Sequence, residues 1–539
     1  MRLSFLAATI AALTAPATVN AVHASQELGY IPPIPEDVSG PIGLSKRATN
    51  PNIKAATFQQ LIDHNNPSLG TFTQRYWYNA EFYNGPGSPI VLNAPGEFAS
   101  DQFTGYTTNL TLPGVFAQTN GGAALILEHR YWGKSSPYQS LTTENLQYLT
   151  LDQSIQDLIY FAKNVKLPFD LNGSSKPDKA PWILSGCSYP GALAAWTHHL
   201  APGTFWAYHC SSAVVEAIGD YWQYFAPIDS ALPKNCTTDL KRMNKYIQKV
   251  LTNGTDEAKN KLKKKFGFDG LADDDFVSAI DGSLGSWQGQ QFYSGYTDTF
   301  KMCDYIEGVA PGNATKIPGP EGVGTCTGLK NWAKWWREYM LPGPGSCSTV
   351  DSWKGYPPLA CYDTHNDSYP LFTDLTVENP FNRQWMWFLC NEAFEYWQVG
   401  SPKSTVGYPP PMYNVDYWRR QCPVYFPEVH GHKVGMVKGI RAEDVNKRTG
   451  GWNNVNTTRL MWVNGEYDPW RSASVASDFR PGGAFVGDEE RPSYVIPKAA
   501  HCNDMIIRNA AANPGVKKVV DAEVAKMKEW VDAFYKKRG

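Results

Sequence analysis

The chain has 539 residues, and its 49 lysines and arginines nearly balance its 51 aspartates and glutamates, for a formal net charge of −2. No basic run is interleaved with aromatic residues, so nothing favours nucleic acid as a partner. After the N-terminal region no run of about 18 apolar residues occurs, so we expect neither a membrane span nor a membrane partner.

The first residues are typical of a secretory signal peptide, because Arg2 precedes a short apolar run that ends at small residues. A Pro- and Gly-rich stretch follows and ends at the dibasic pair Lys46-Arg47. We therefore expect a signal peptide over residues 1–21 and a pro-segment over residues 22–47 that is removed after this pair. The alternative for the second stretch is an ordinary N-terminal arm with a chance Lys-Arg pair.

Cysteines and glycosylation sequons agree with a secreted protein. The ten cysteines are an even number, as a disulfide framework in an oxidising compartment requires. Glycans would place their loops in solvent. The Asn-x-Ser/Thr sequons are at Asn109, Asn172, Asn235, Asn253, Asn313, Asn366 and Asn456.

Short apolar runs alternate with helical patterns in the first part of the mature chain. Residues 89–93 and 123–128 have the character of buried parallel strands. Residues 154–165 carry apolar side chains at helical spacing, and strand patterns follow at 181–185 and 204–209. This alternation predicts a doubly wound α/β sheet.

A long Trp-rich region interrupts the alternating pattern. Residues 221–420 are helical in pattern, and we expect them to form a mostly helical insertion over the carboxyl edge of the sheet. Strand patterns return at 459–464 and 493–496, and an amphipathic helix closes the chain. The sheet domain is thus predicted in two parts, residues 48–220 and residues 421–539.

The strongest chemical signal in the chain is the run Gly186-Cys187-Ser188-Tyr189-Pro190-Gly191. It lies between an apolar strand and a small-residue helix, where a serine on a sharp turn forms a nucleophile elbow. Glycines on both sides let strand and helix approach closely. We therefore expect Ser188 to be a catalytic nucleophile on an α/β-hydrolase sheet with a large, mostly helical inserted cap.

An α/β hydrolase carries an acid and then a histidine on loops after later strands. Asp468 follows the first of the resumed strands, and His501 follows the second. We predict that Asp468 orients the imidazole and that His501 takes the proton of Ser188. Glu466 is the alternative acid.

Two cysteines flank the predicted catalytic residues. Cys187 precedes Ser188 and Cys502 follows His501, so a working triad would bring both cysteines within the reach of a disulfide. We expect a Cys187–Cys502 bond, and the alternative is that each pairs elsewhere. The simplest pairing of the other eight joins sequence neighbours: Cys210–Cys236, Cys303–Cys326, Cys347–Cys361 and Cys390–Cys422.

The backbone N–H of Tyr189 is expected to form one half of an oxyanion hole. The second donor is expected from the loop after residues 89–93, where Gly96 and Glu97 are the natural donors and a plain turn is the alternative. His430 and His432 match no metal-binding spacing. We therefore predict no metal site and no cofactor.

Segments spread over nearly the whole mature chain resemble one known family. They are Gln60–Pro67, Glu128–Gly133, Gly186–Gly191, Asn464–Trp470 and His501. The family is the secreted or lysosomal serine peptidases that cleave after proline, which includes a Pro-Xaa carboxypeptidase, a lysosomal dipeptidyl peptidase and the fungal acid prolyl endopeptidases. The Cys-Ser and His-Cys pairs look most like the fungal endopeptidase branch. Pro190 departs from the family, which usually has glycine there.

This resemblance implies a secreted serine peptidase, with a vacuole- or lysosome-like location as the alternative, that cuts proline-containing peptides or proteins after proline. Endopeptidase action at acidic pH is the preferred expectation, and Pro-Xaa carboxypeptidase action is the alternative. Trp470 would help to wall the proline pocket. Glu97 would line the same pocket or contact a substrate amine, and Glu392 is a further pocket residue on the cap. The oligomeric state is not predicted.

Two other protein classes stay open. A tannase- or feruloyl-type esterase also carries cysteines beside its catalytic serine and histidine, but it leaves the 60–67 and 128–133 segments without an explanation. A catalytically inactive hydrolase-like binding protein is the third interpretation.

Overall fold

The protein is described by a computed structural model that covers residues 32–34, 50–170, 172–309, 317–401 and 406–538. The predicted signal peptide, most of the predicted pro-segment and the sequon at Asn313 lie outside these residues. In the part of the chain covered by these ranges, no helix combines the length and the apolar character that a bilayer crossing requires.

The strands form one large sheet and one two-stranded sheet. They are β1 (Ile53–Leu61), β2 (Thr71–Asn79), β3 (Ile90–Asn93), β4 (Ala123–Leu127), β5 (Trp182–Cys187), β6 (Ala207–Ser211), β7 (Ile218–Asp220), β8 (Glu395–Trp397), β9 (Leu460–Gly465) and β10 (Ser493–Ile496). The large sheet has the order β1-β2-β4-β3-β5-β6-β9-β10, and β7 pairs with β8. Within the large sheet, β2 is antiparallel to its neighbours β1 and β4, and the remaining pairs are parallel.

The helices lie on both faces of this sheet and in the long connection between β6 and β9. The α-helices are α1 (Leu112–Asn120), α2 (Leu151–Asn164), α3 (Tyr189–Leu200), α4 (Phe225–Ala231), α5 (Lys234–Asn253), α6 (Asp256–Phe266), α7 (Asp273–Asp281), α8 (Asp298–Ile306), α9 (Thr325–Trp335), α10 (Pro370–Thr373), α11 (Arg383–Trp387), α12 (Val415–Arg419), α13 (Cys422–Tyr425), α14 (Ala442–Thr449), α15 (Ile507–Ala512) and α16 (Pro514–Lys536). A π-helical turn extends α9 over Trp336–Met340, and another extends α11 over Phe388–Glu392.

Short 3-10 helices complete the connections. They are Pro67–Leu69, Ser100–Gln102, Thr104–Thr107, Asn145–Tyr148, Trp222–Tyr224, Gly282–Gly289, Cys347–Thr349, Asp351–Trp353, Ala360–Tyr362, Gly451–Asn453 and Pro469–Ala473.

The central strands are buried on both faces, which explains their continuous apolar sequences. Residues 90–93 of β3 and 182–187 of β5 have no exposed position. Val91 belongs to the apolar cluster that contains α1 and α16, whereas Leu92 belongs to the cluster that contains α2 and α3. The prediction of a doubly wound α/β sheet is confirmed.

The chain between β6 and β9 is mostly helical, as the sequence predicts for a cap. Its tryptophans, among them Trp332, Trp336, Trp387 and Trp418, are buried in an apolar cluster that continues into the sheet domain. Packing of the cap against the sheet therefore accounts for much of the high tryptophan content. The exact domain boundaries, 48–220, 221–420 and 421–539, stay a prediction.

Pro32 and Ile34 of the predicted pro-segment contact the sheet domain. The Tyr106 hydroxyl donates a hydrogen bond to the Pro32 carbonyl at 2.7 Å. Ile34 packs against an apolar cluster that includes the Cys187–Cys502 pair. Part of the segment ahead of the dibasic pair is thus seated on the domain that carries Ser188.

Two of the neighbour pairings of cysteines are wrong. Cys236 of α5 bonds to Cys303 of α8 because these two helices pack together. Cys210 lies on the buried strand β6 and is a free thiol, and Cys326 is a free, exposed thiol. The remaining disulfides join the predicted partners: Cys187–Cys502, Cys347–Cys361 and Cys390–Cys422.

One of the sequons is also unsuited to a glycan. Asn235 is only 7% exposed on α5, so an attached sugar would have no room there. Asn366 is half-buried. The exposed sequons are Asn109, Asn172, Asn253 and Asn456, and their use stays a prediction.

Candidate active site

Ser188 lies on the sharp turn between β5 and α3, with φ 64° and ψ −130°. This backbone conformation is unfavourable for a non-glycine residue and is typical of a nucleophile elbow. A Cβ atom at Gly186 would lie 2.3 Å from the Pro190 carbonyl oxygen, and one at Gly191 would lie 2.7 Å from the Ser211 carbonyl oxygen. Glycine is therefore required on both sides of the turn.

The proline at position 190 is compatible with this turn. Pro190 is the second residue of α3, where a backbone N–H has no partner within the helix. Its ring therefore costs no hydrogen bond, and α3 begins directly after Ser188.

His501 and Asp468 follow β10 and β9, which are parallel neighbours and end at the same edge of the sheet. Both side chains are fully buried, and His501 Nδ1 lies 2.9 Å from Asp468 Oδ1. A carboxylate accepts hydrogen bonds, so the proton of this contact belongs to Nδ1. His501 Nε2 is buried and has no hydrogen-bond partner among the described residues. No hydrogen bond joins this nitrogen to Ser188 Oγ in this structure, and its role as proton acceptor stays a prediction.

Glu466, the alternative acid, is used differently. Its Oε2 accepts a hydrogen bond from the Lys498 backbone N–H at 2.8 Å, which ties together the turns after β9 and β10. Asp468 Oδ1 accepts from the Trp470 backbone N–H at 2.9 Å as well as contacting His501. Of the two acids, Asp468 is the one in contact with the imidazole.

The Cys187–Cys502 disulfide brings the His501 loop to the elbow. The two Cα atoms are 6.0 Å apart. A ring nitrogen of His501 lies within 4.8 Å of the Sγ atoms of both cysteines. The Cys502 N–H also donates a hydrogen bond to Ser212 Oγ at 3.0 Å, beside the end of β6. Ser188 itself is 5% exposed, so the site is largely covered.

The expected oxyanion donors lie at the same edge of the sheet. Tyr189 is the first residue of α3, and an N–H in the first turn has no acceptor within its helix. Gly96 and Glu97 follow β3, the parallel neighbour of β5. A Cβ atom at Gly96 would lie 2.1 Å from the Phe98 ring, so a side chain here would have to displace that ring.

Glu97 is a buried carboxyl group in the same loop. It is 2% exposed, and its Oε2 has no hydrogen-bond partner in the described part of the chain. Burial raises the pKa of Glu97 to about 8. The side chain is therefore neutral at acidic and neutral pH.

Trp470 is buried beside the imidazole. Its indole N–H donates to Gln288 Oε1 at 2.6 Å, and its ring centroid lies 6.4 Å from that of His501. Three tyrosine rings surround it at 5.3 to 5.7 Å: Tyr221, Tyr224 and Tyr396. The result is an aromatic wall next to the histidine.

Glu392 is the predicted pocket residue on the cap. It forms an ion pair with Arg448 at 2.7 Å. With Trp387 and Asn391 it lines a surface cavity of about 420 Å³, and neither His501 nor any other triad candidate belongs to that lining. The expectation that Glu392 lines the pocket beside Ser188 stays a prediction.

The histidines at positions 430 and 432 lie in a turn at the surface. His430 Nδ1 pairs with Glu144 at 2.9 Å on the surface. The Val429–His432 turn is closed by hydrogen bonds between its own backbone groups.

A buried polar network close to His501 corresponds to no motif in the sequence. His209 Nε2 lies 3.0 Å from Glu523 Oε1 and 3.3 Å from Asp504 Oδ2, and Ser185 Oγ contacts His209 Nδ1 at 2.9 Å. Burial alone would lower the pKa of His209, but the two carboxylates raise it to about 9. The network joins β5, β6, α16 and the loop after His501. Its residues are far apart in sequence and leave no local pattern to detect.

The sheet order, the elbow serine and the buried His–Asp pair after the last two strands define an α/β hydrolase. The chain belongs to the family described as Serine carboxypeptidase S28, whose model matches residues 59–301 and 360–522. The resemblance predicted from the sequence is thereby confirmed, and the protein is a serine peptidase of this family.

Similar proteins include two from fungi and one solved structure. The chain is 39% identical over 479 residues to "Serine protease vicPa" of Bipolaris victoriae (strain FI3), and the match covers 89% of each chain. It is 29% identical over 517 residues to a "Probable extracellular serine carboxypeptidase" of Arthroderma benhamiae, covering 89% of this chain and 68% of that one. The solved esterase of Pyrobaculum calidifontis matches 88% of this chain and 85% of its own, with 9% identity and a TM-score of 0.32.

Proposed function

We propose that this serine peptidase hydrolyses peptide bonds on the carboxyl side of proline, with Ser188 as nucleophile, His501 as general base and acid, and Asp468 as the group that orients His501. The observation that carries the proposal is the buried His501 Nδ1–Asp468 contact at 2.9 Å, which leaves the other ring nitrogen, Nε2, without a hydrogen-bond partner among the described residues. The disulfide next to both residues supports the same arrangement.

The chemistry follows from these positions. Ser188 Oγ attacks the carbonyl carbon of the scissile bond while its proton passes to His501 Nε2. The N–H of Tyr189 and an N–H from Gly96 or Glu97 stabilise the negative oxygen of the tetrahedral intermediate. His501 then protonates the leaving amine, and water releases the acyl group by the same steps in reverse.

Specificity for proline is assigned to the aromatic wall at Trp470. A proline ring is compact and apolar, and flat aromatic faces suit it. Neutral Glu97 adds no charge to this environment below about pH 8. The family resemblance motivates two further parts of the proposal, an acidic optimum and secretion, and secretion agrees with the word "extracellular" in the name of the Arthroderma relative.

We propose endopeptidase action, because the Cys-Ser and His-Cys pairs match the fungal endopeptidase branch. Pro-Xaa carboxypeptidase action is the second candidate. It is favoured by the 5% exposure of Ser188, since a covered nucleophile admits a chain end more readily than the middle of a folded protein.

Products from a proline-rich protein test the proposal. Mass spectrometry should find internal fragments that end in proline, and none with the Ser188→Ala variant. Losses of single residues from the C-terminus would select the carboxypeptidase instead.

Matched substrates test the competing classes. Turnover of a ferulate or gallate methyl ester without turnover of a prolyl peptide would overturn the peptidase assignment in favour of an esterase. If a fluorophosphonate probe fails to label the wild type at Ser188, the inactive binding protein is the better interpretation.

A further inference from the structure

The Glu128–Gly133 turn and the cap residue Asn382 have no role in the mechanism above. We infer that they are the positioning residues of the oxyanion hole, and that the cap completes this hole through Asn382. The inference rests on the proposed function, because it assumes that Tyr189 and the Gly96–Glu97 loop supply the donors.

The turn itself is tightly specified. It follows β4, and both Tyr131 and Gly133 have positive φ values, 71° and 56°. A Cβ atom at Gly133 would lie 2.2 Å from Glu128 Oε1, so the turn folds directly over the Glu128 carboxylate. That carboxylate accepts hydrogen bonds from Arg75 Nε at 2.7 Å and from the Ser100 N–H at 3.1 Å. Ser100 is three residues beyond Glu97, so Glu128 anchors the far end of the oxyanion loop.

Arg130, in the same turn, anchors the turn to α2 and to the chain after β1. Arg130 Nε donates to Asp157 Oδ2 of α2 at 2.7 Å, and another guanidinium nitrogen donates to the Ile62 carbonyl at 3.1 Å. His64 Nε2 contacts the same Asp157 at 2.8 Å. The two family segments around residues 60–67 and 128–133 therefore meet at Asp157 and form one rigid support.

His129 holds the side chain of Tyr189. Its Nδ1 lies 2.9 Å from the Arg130 carbonyl oxygen, which can only accept, so Nδ1 carries the hydrogen. Burial lowers the pKa of His129 to about 4, so the ring is neutral and Nε2 is an acceptor. The Tyr189 hydroxyl, 2.9 Å from Nε2, therefore donates to it.

The aromatic ring of Tyr189 also contacts the cap. Trp385 and Phe388 lie 5.2 Å and 5.5 Å from it, in and directly after α11. The first residue of α3 is thus held between the 128–133 turn and the cap. Its backbone N–H, the first expected oxyanion donor, is fixed by the same contacts.

Asn382 contacts the backbone of the loop that is expected to supply the second donor. It precedes α11 in a left-handed conformation, with φ 48° and ψ 49°. Its Nδ2 donates to the Glu97 carbonyl at 3.1 Å, and its Oδ1 accepts from the Trp132 indole N–H at 3.0 Å. A chain of two hydrogen bonds therefore joins the turn, the cap and the Gly96–Glu97 loop.

Neither Asn382 nor Trp132 belongs to the triad or to the expected pair of donors. Both act through the backbone of Glu97, so their loss should impair stabilisation of the tetrahedral intermediate more than binding of the ground state. A purely structural role would change stability without this selective effect.

The test compares Trp132→Phe and Asn382→Gly with the wild type. Phenylalanine keeps an apolar ring and removes the indole N–H, and glycine tolerates the positive φ of position 382. We expect kcat for a prolyl peptide to fall about 10-fold or more with KM changed by less than about 3-fold, since the loss of a direct oxyanion donor costs about 10²–10³. The matched control is Trp332→Phe, because the Trp332 indole is buried in the cap and its N–H has no hydrogen-bond partner in the described ranges.

A transition-state analogue separates positioning from folding. A peptide boronate that ends in proline forms a tetrahedral adduct with the serine, and its affinity should fall in parallel with kcat in both variants. The affinity for the product peptide should stay within about 3-fold. A raised KM with unchanged kcat, or an unchanged boronate affinity, would overturn the inference.

Two further measurements cover the cases of a variant that unfolds and of a wild type that does not cleave prolyl peptides. If Asn382→Gly unfolds, as judged by its melting temperature, Trp132→Phe alone decides. If the wild type does not cleave prolyl peptides, the rate of fluorophosphonate labelling of Ser188 replaces kcat. Slower labelling of the variants then supports the inference although the proposed specificity has failed, and equal labelling rates contradict it.

Discussion

Cys187 and Cys502 are bonded to each other across a sequence separation of 315, and each is the immediate neighbour of a residue of the proposed triad. The bond joins the end of β5 to the turn after β10. The position of His501 relative to Ser188 is therefore set by a covalent link as well as by packing.

Removal of this link should affect both stability and chemistry. We expect the Cys187→Ala/Cys502→Ala variant to lose about 2–5 kcal/mol of unfolding free energy, as is typical for a native disulfide. Denaturant titration measures this loss. Fluorophosphonate labelling of Ser188 should also slow, because His501 is no longer held beside the elbow.

The matched control for this variant is Cys347→Ala/Cys361→Ala. That disulfide spans a sequence separation of 14 within the cap, so its removal should cost less and leave labelling unchanged. Labelling of the Cys187→Ala/Cys502→Ala variant at the wild-type rate would contradict the positioning role of the bond.

Asp468→Asn should abolish most activity. The asparagine can donate to His501 Nδ1 and so stabilise the wrong tautomer, and the comparable change in a well-known triad lowers kcat by about 10⁴. Steady-state kinetics on a prolyl peptide measures the effect. Glu466→Gln should stay within a few fold of the wild type, and the reverse result would make Glu466 the catalytic acid.

Glu97 should control the alkaline side of the pH profile. Burial raises its pKa to about 8, so above that pH the carboxyl group gains a negative charge in the loop that is expected to donate to the oxyanion. We expect kcat/KM to fall above about pH 8 in the wild type and this fall to be lost in Glu97→Gln. Rate–pH profiles of both proteins are the measurement, and superimposable alkaline limbs would refute the assignment.

Raised carboxyl pKa values should make stability decrease from acidic to alkaline pH, against an opposite contribution below about pH 6.5 from the lowered pKa of His129. Burial raises the pKa of Glu216 from 4.5 to about 7, so its protonated form is favoured in the folded protein. The resulting stabilisation is fully present below about pH 4.5 and is lost as the pH rises through 7. Glu523, with a pKa also raised to about 7, acts in the same direction.

Melting temperatures measured from pH 4 to pH 9 test this expectation. The wild type should melt at a higher temperature at pH 5 than at pH 8, and Glu216→Gln should reduce the difference. A rise of the melting temperature toward pH 8 would show that other groups dominate.

Trp470→Leu should weaken the preference for proline. Loss of the aromatic wall removes apolar contact with the ring, and pocket contacts of this size discriminate by about 10–200-fold. The measurement is the ratio of kcat/KM for two peptides that differ only in proline or alanine before the scissile bond. Unchanged fluorophosphonate labelling serves as the control, and an unchanged ratio would remove Trp470 from the pocket.

The parts of the protein that sequence predicts well are those with local signals. The strands near residues 90, 123 and 182 follow from short apolar runs, and the elbow follows from Gly186 and Gly191, each of which leaves no room for a side chain. His501 and Asp468 could be placed because the order of the fold assigns each to the loop after a strand.

Features that depend on packing between distant segments were not predictable in this way. Cys236 bonds to Cys303 because α5 and α8 are adjacent, which neighbour order in sequence does not indicate. The His209–Asp504–Glu523 network draws on β6, a loop and α16. Glu392 forms an ion pair with Arg448, a contact that the sequence does not indicate.

The long sequence separation of the Cys187–Cys502 bond has a further consequence for limited proteolysis. A single cut anywhere between these two cysteines leaves both fragments covalently joined, with Ser188 and His501 on opposite sides of the same bond. Nicked enzyme should migrate as one species on a non-reducing gel and split only after reduction. A protease can therefore cut the cap without separating Ser188 from His501.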